Sequence, residues 1–247
     1  MVRSLPLALV VALAVTQLAN VVTTTYLHRA LAHKAMRLSP GVVAVFRVLT
    51  WITTGIRPRQ WVAVHRKHHA HTDEEGDPHS PVLLGFLAVQ VGNVALYRKA
   101  AADKDMVARY SRDLPPDRWD ALLFDHAILG LAVGVALLVV VFGPWLALVA
   151  GLVHAVAYLA LSSAVNAAGH TFGRRPHPNR AGNLQWLAWL TAGEGLHNNH
   201  HHAPTSARLS MARGEIDPGW WLVSVLRRLG WATLRERKAE LVTVSGA

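Results

Sequence analysis

His65-Arg66-Lys67-His68-His69 places three histidines at positions i, i+3 and i+4. On an α-helix those positions share one face, roughly 100° wide. A face of neutral imidazoles is a metal-binding surface. The spacing returns at His197-Asn198-Asn199-His200-His201. Two copies of one such box in a single chain point to one shared site. The rest of the sequence reads as machinery that brings the two faces together.

The chain has 247 residues, 52% of them hydrophobic, which suits one domain spanning 1–247 and is high for a soluble one. The net charge of +10, carried mostly by arginine, would suit nucleic acid or anionic lipid. The apolar runs select lipid, and no nucleic-acid partner is expected. There is no cysteine, which excludes disulfides, thiolate metal sites, iron–sulfur clusters and a cysteine nucleophile. Fifteen histidines mean that any metal is held mainly by imidazole, which suits iron, zinc, copper or nickel.

Residues 5–27 carry no formal charge and are long enough to span a bilayer. Residues 121–142 and 145–165 form two further spans joined by the Gly143-Pro144 turn. The apolar stretches 42–56 and 82–97 are short and interrupted by Arg47, Gln90 and Asn93. They read as helices lying in the interface or packed on a cytosolic domain. The expected fold is therefore an all-α integral membrane protein with about three transmembrane helices. A cytosolic helical part, residues 28–120 and 166–247, caps them. Of 25 Lys and Arg residues, 14 fall in the first cytosolic block, 10 in the second and only Arg3 outside. That distribution obeys the positive-inside rule and puts every histidine box on the cytoplasmic side.

His28 and His33 follow the first span. Two histidines five apart do not share a face of an α-helix, so their position beside a membrane exit carries the reading. Asn166 and His170 are four apart at the next exit, one above the other on a helix. His154, alone within a span, reads as a packed, hydrogen-bonded residue. The loop Asp73-Glu74-Glu75-Gly76-Asp77-Pro78-His79 offers carboxylates that either orient ligand histidines or form a solvated acidic surface. An amphipathic helix is expected around 220–234.

The boxes with His170 give nine histidines: His28, His33, His65, His68, His69, His170, His197, His200 and His201. One tetrahedral zinc needs about four ligands, so nine suit two metals. Two histidine-rich metals beside a membrane suggest O₂ chemistry on a lipid. Iron has the redox range to break an unactivated C–H bond, and zinc does not.

The order H-x-x-x-x-H, H-x-x-H-H, N-x-x-x-H, G-E-G-x-H-x-x-H-H resembles the membrane fatty-acid desaturases, and specifically the stearoyl-CoA (Δ9 acyl-CoA) branch. The resemblance runs from about Asn20 to about Leu229. Trp61 four before His65, Asp77-Pro78-His79, Gly85-Phe86 before Arg98-Lys99, Phe172-Gly173-Arg174-Arg175-Pro176 and Gly193-Glu194-Gly195 are its supporting details. It implies two iron ions held by the nine histidines, with Asn166 reaching one iron through water. It implies a kinked apolar tunnel in which O₂ and two electrons remove two hydrogens from neighbouring methylenes and leave a cis double bond. Trp61, Arg98 and Lys99 become expected substrate contacts, the last two with CoA phosphates or with the membrane surface. The family usually has four spans, so either three suffice here or the start lies upstream. With no fused electron carrier, a separate ferredoxin, cytochrome b5 or flavoprotein reductase is expected. The Arg-rich, Lys-poor composition suggests a bacterial cell membrane. Product analysis separates this reading from a lipid hydroxylase of the same superfamily. A non-catalytic metal-binding or transport protein would carry polar ligands at mid-bilayer, where this chain has little beyond Gln17, Asn20 and His154.

Overall fold

The computed structural model describes residues 4–235. Helix α1 (Leu5–Val22) starts at Pro6 in its first turn and continues without a break into a π-helix, Thr23–Ala32. A short strand β1 (Met36–Leu38) leads to α2 (Pro40–Thr54), which ends at Gly55 in the left-handed region (φ 63°). Helix α3 (Pro58–Ala70) carries the first histidine box. Four more helices follow: α4 (Pro81–Leu84), α5 (Phe86–Ala102), α6 (Lys104–Tyr110) and, after a π turn at Asp120–Phe124, α7 (Ala127–Phe142). The long α8 (Pro144–Thr171) is succeeded by α9 (Gln185–Leu190), α10 (His197–His202) and α11 (Pro218–Arg228). Strand β2 (Ala232–Leu234) closes the described chain by pairing antiparallel with β1.

Among the described residues, two helices are long and apolar enough to cross a bilayer, Leu5–Ala32 and Pro144–Thr171. The first is longer than the expected 5–27, because the π-helix extends the same rod. The second expected span, 121–142, is not one continuous α-helix: residues 120–124 form their own π turn, and α7 begins only at Ala127. The helix expected around 220–234 ends at Arg228, because Gly230 (φ 73°) turns the chain into β2. Arg3 and residues 236–247, part of the charge count above, lie outside the described residues.

Small residues set the packing. Ala8 and Ala12 on α1 meet Phe142 and Ala150, so α1 and α8 lie close together. Helix α7 meets α2 through Gly130 and Gly134, a small-x-x-x-small pair. A Cβ at Gly134 would sit 2.2 Å from the Ile52 carbonyl oxygen, and one at Gly130 would sit 2.5 Å from that of Trp51. Helix α2 therefore packs closely against α7. Its last turn reaches α8, where His154 Nε2 donates to the Thr53 carbonyl (2.8 Å). His154 Nδ1 lies 3.0 Å from Thr16 Oγ1, so this histidine is hydrogen-bonded between three helices, as its isolation suggested. The outer faces are strongly apolar, with Val10, Ile128, Val140, Trp145 and Val156 all more than 60% exposed. Contiguous apolar surface of this kind matches lipid rather than water.

Candidate metal centre

The first pair of histidines depends on how the helix is wound. Between His28 and His33 the backbone runs i→i+5, with His33 N–H donating to the His28 carbonyl (3.0 Å). A π-helix brings residues five apart onto one face, which an α-helix does not. The two rings are 4.7 Å apart, centroid to centroid. The expectation that a spacing of five separates them held only for α-geometry. Tertiary contacts hold the wider turn. Thr24 donates to buried Glu194. Arg29, 1% exposed, donates to both carboxylate oxygens of Asp217 (2.8 and 3.2 Å) and to the carbonyls of Ala192 and Ala207. Asp217 also caps α11 by accepting from Trp220 N–H (3.0 Å), so one carboxylate ties the π-helix to the C-terminal segment.

The nine histidines gather into two groups. The ligand nitrogens of His28, His33, His65, His69 and His200 all lie within 4.8 Å of one another, and so do those of His68, His170, His197 and His201. Sequence neighbours part company here: His68 and His69 join different groups, as do His200 and His201. In each group the Nε2 atoms converge. His33 and His65 approach to 2.7 Å, His200 and His69 to 2.9 Å, and His170 and His197 to 3.0 Å.

Carboxylates hold the outer nitrogens. His28 Nδ1 lies 2.8 Å from Glu194, His68 Nδ1 2.9 Å from Asp77 and His170 Nδ1 2.8 Å from Asp73. A proton kept on Nδ1 by a carboxylate leaves the Nε2 lone pair free and aimed inward. His68 Nε2 is buried without a partner. Such an orphaned acceptor is costly unless something binds it. Burial, followed by the charge of neighbouring imidazoles, holds His33, His65, His69, His197, His200 and His201 well below the ordinary imidazole pKa. Burial alone would raise Glu194; the charge of His28, with Arg29 and Thr24, lowers it instead. Six imidazoles held neutral by burial, with carboxylates behind the other three, make a donor set that fits a pair of cations.

A cavity of about 90 Å³ opens beside both groups. Its walls include His28 and His65 of the first group, His197 of the second, and Trp61, Asn166 and Tyr158. Trp61 stacks on His65 (4.9 Å, 10° between planes), and Asn166 stands one helical turn before His170. Arg98 and Lys99 are outside the cavity wall. They are exposed on α5, immediately after Tyr97, which does line it.

Sequence reasoning missed the carboxylates as individuals. Asp73 is 2% exposed, held by Ser80 Oγ (2.6 Å), whereas Glu74 and Glu75 are exposed as a solvated loop would have them. Glu194 lay in plain view between Gly193 and Gly195. A Cβ at Gly195 would sit 2.2 Å from the Ala188 nitrogen, so the flanking glycine marked a close approach.

The profile of the family described as "Fatty acid desaturase" matches residues 4–213. The chain belongs to the fatty acid desaturase family. This desaturase is 33% identical over 211 residues to the "sn-1 stearoyl-lipid 9-desaturase" of Anabaena variabilis, covering 83% of this chain and 75% of that protein. It is 33% identical over 209 residues to the "sn-2 palmitoyl-lipid 9-desaturase" of Nostoc sp. (strain 36), covering 83% and 73%. It is 32% identical over 214 residues to the "Acyl-CoA C20 Delta5-desaturase" of Anemone leveillei, covering 85% and 68%. Desaturases are membrane-associated oxidoreductases acting on fatty acyl groups, and the apolar helices and histidine groups of this one accord with that.

Proposed function

We propose that this chain is an O₂-dependent fatty acyl desaturase whose nine histidines hold two irons, five around one and four around the other. The convergence of nine histidine nitrogens in two groups, beside one cavity, carries the reading. Asn166, one helical turn before His170, would hold one iron through a water. The bound irons would supply the two-electron activation of O₂ that C–H cleavage requires. The overall change is –CH₂–CH₂– + O₂ + 2e⁻ + 2H⁺ → –CH=CH– + 2H₂O.

The protein's own residues do the rest. Glu194, Asp77 and Asp73 keep Nδ1 protonated on His28, His68 and His170, so that each presents a lone pair. Trp61 fixes the plane of His65 and, with Tyr158, walls the cavity where the reacting methylenes would sit. Arg98 and Lys99, at the end of α5 next to Tyr97, meet a phosphate at the cavity mouth. That placement suits acyl-CoA. A second reading, a glycerolipid carrier, is favoured by the names of the Anabaena and Nostoc relatives. Their names also support position 9 in a saturated chain, and a cis double bond is part of the same proposal.

We place the chain in a bacterial cell membrane as a single unit with three spans, about 5–27, 121–142 and 145–165, and with both histidine boxes on the cytoplasmic side. Electrons come from a separate ferredoxin, cytochrome b5 or flavoprotein reductase.

The test is the fatty-acid profile of cells expressing wild type and His200→Ala, grown with and without oxygen. A new 9-monounsaturated chain in aerobic wild type alone is the expected result. A hydroxylated product would replace desaturation with oxygenation. Purified protein offered stearoyl-CoA or a stearoyl glycerolipid, with reductant, separates the two carriers by which one is converted.

A further inference from the structure

Six of the fifteen histidines stand outside the two groups. Five are accounted for. His71 is within 3.3 Å of the Tyr110 hydroxyl, and His126 within 3.0 Å of the Ala121 carbonyl. His154 bridges three helices, and His177 and His202 stack on each other at 3.9 Å. His79 is different. It is 6% exposed, its Nε2 is buried without a partner, and its side chain lines the cavity.

The position of His79 is fixed by the same carboxylate that serves the second group. Its backbone N–H donates to Asp77 Oδ1 (3.0 Å), and Asp77 in turn holds His68 Nδ1. Its ring lies 4.8 Å from that of His68, tilted by 36°. Ser80, next in the chain, caps α4 and bonds to Asp73, so both neighbours of this loop are pinned. His79 is not one of the four second-group histidines whose nitrogens converge. Its nitrogen does lie near Asp77 and His68, but Asp77 is already spent there. It accepts from His68 Nδ1, from Asp73 N–H and from His79 N–H, so a cation at that point would have to break those bonds. A saturated acyl chain offers no hydrogen-bonding atom to an imidazole nitrogen. The other reactant does.

We propose that the His79 Nε2–H donates a hydrogen bond to a small oxygen ligand, dioxygen or water, held in the cavity beside the second histidine group. This rests on the two-iron reading above. It gives the cavity a subsite for the small reactant, beside the space left for the lipid. His79 positions that molecule and holds no metal.

Azide is the probe, because it binds where dioxygen does and accepts a hydrogen bond. Full-length wild type, His79→Phe and His79→Gln are loaded with iron. Iron per chain and the azide dissociation constant, from absorbance, are then measured. His79→Phe keeps the ring volume and lacks the nitrogen; His79→Gln restores an N–H. Two irons in all three proteins are expected, with azide about tenfold weaker in His79→Phe, the worth of one hydrogen bond, and near wild type in His79→Gln. Azide affinity within twofold of wild type in His79→Phe would overturn the proposal. So would a fall to one iron in both variants, which would make His79 a ligand. Wild type that binds no iron would instead remove the two-iron reading on which the proposal rests.

Discussion

His28 and Glu194 are 166 positions apart in sequence and 2.8 Å apart in space. The same carboxylate accepts from Thr24, one α-turn earlier on the rod that carries His28. Glu194 therefore fixes both the ring and the π-wound backbone beneath it. Replacing an outer partner of a ligand histidine typically costs 10–100-fold in metal affinity. Glu194→Gln is expected to weaken iron binding by about that factor, read from iron retained against a chelator series. Glu75→Gln, in the exposed part of the acidic loop, is the control and is expected to change nothing.

Arg29 and Asp217 are both about 1% exposed in their side chains. Removing one partner of such a pair leaves an uncompensated buried charge, at about 3–5 kcal/mol. Asp217→Ala also strips the cap from α11. It is expected to lower the thermal midpoint in detergent by far more than Asp117→Ala, whose carboxylate pairs with Arg47 at the surface and is about half exposed. Equal midpoints for the two variants would mean that the buried pair does not hold the π-helix in place.

Helical periodicity made the two boxes legible, because i, i+3 and i+4 share a face whatever the rest of the chain does. It could not reveal the π-helix. The wide turn from Thr23 to Ala32 exists because Thr24 and Arg29 are pulled onto residues near 194 and 217, contacts that no local pattern encodes. It could not sort His68 from His69 either, since which ring turns toward which group depends on how α3 is rotated against α8 and α10. Asp73 looked like its neighbours Glu74 and Glu75 until α8 brought His170 onto it. The reach of α2 to His154 was hidden for the same reason: Gly130 and Gly134 on α7 permit it, and they lie some 80 residues further on.

The split of adjacent histidines between groups has a stoichiometric consequence. His201→Ala leaves three imidazoles in the second group, whereas His33→Ala leaves four in the first. Four ligands suffice for a stable site and three leave it open. His201→Ala is expected to fall from two irons to one per chain. His33→Ala is expected to keep two, with one more easily chelated. Equal losses in the two variants would contradict the five-and-four partition.

The buried imidazoles also set how the metal-free protein responds to acid. His33, His65, His69, His197, His200 and His201 all have folded-state pKa values well below 6.5, with burial the first cause. In the unfolded chain they titrate near 6.5. Below that pH the unfolded state binds more protons than the folded one, so stability falls as pH falls, by up to about 1.4 kcal/mol per pH unit for each histidine. Above 6.5 both states are neutral and the term vanishes. Asp73, Asp77 and Glu194 have lowered pKa values, so their contribution is full above the ordinary carboxylate range and is lost only in stronger acid. The chelator-treated protein is therefore expected to hold a flat thermal midpoint from pH 8 to 7 and to lose stability steeply from 6.5 to 5. Iron-loaded protein should resist to lower pH, because protons must then displace the metal. A midpoint that stays constant down to pH 5 without metal would mean that these imidazoles are not buried as neutral groups.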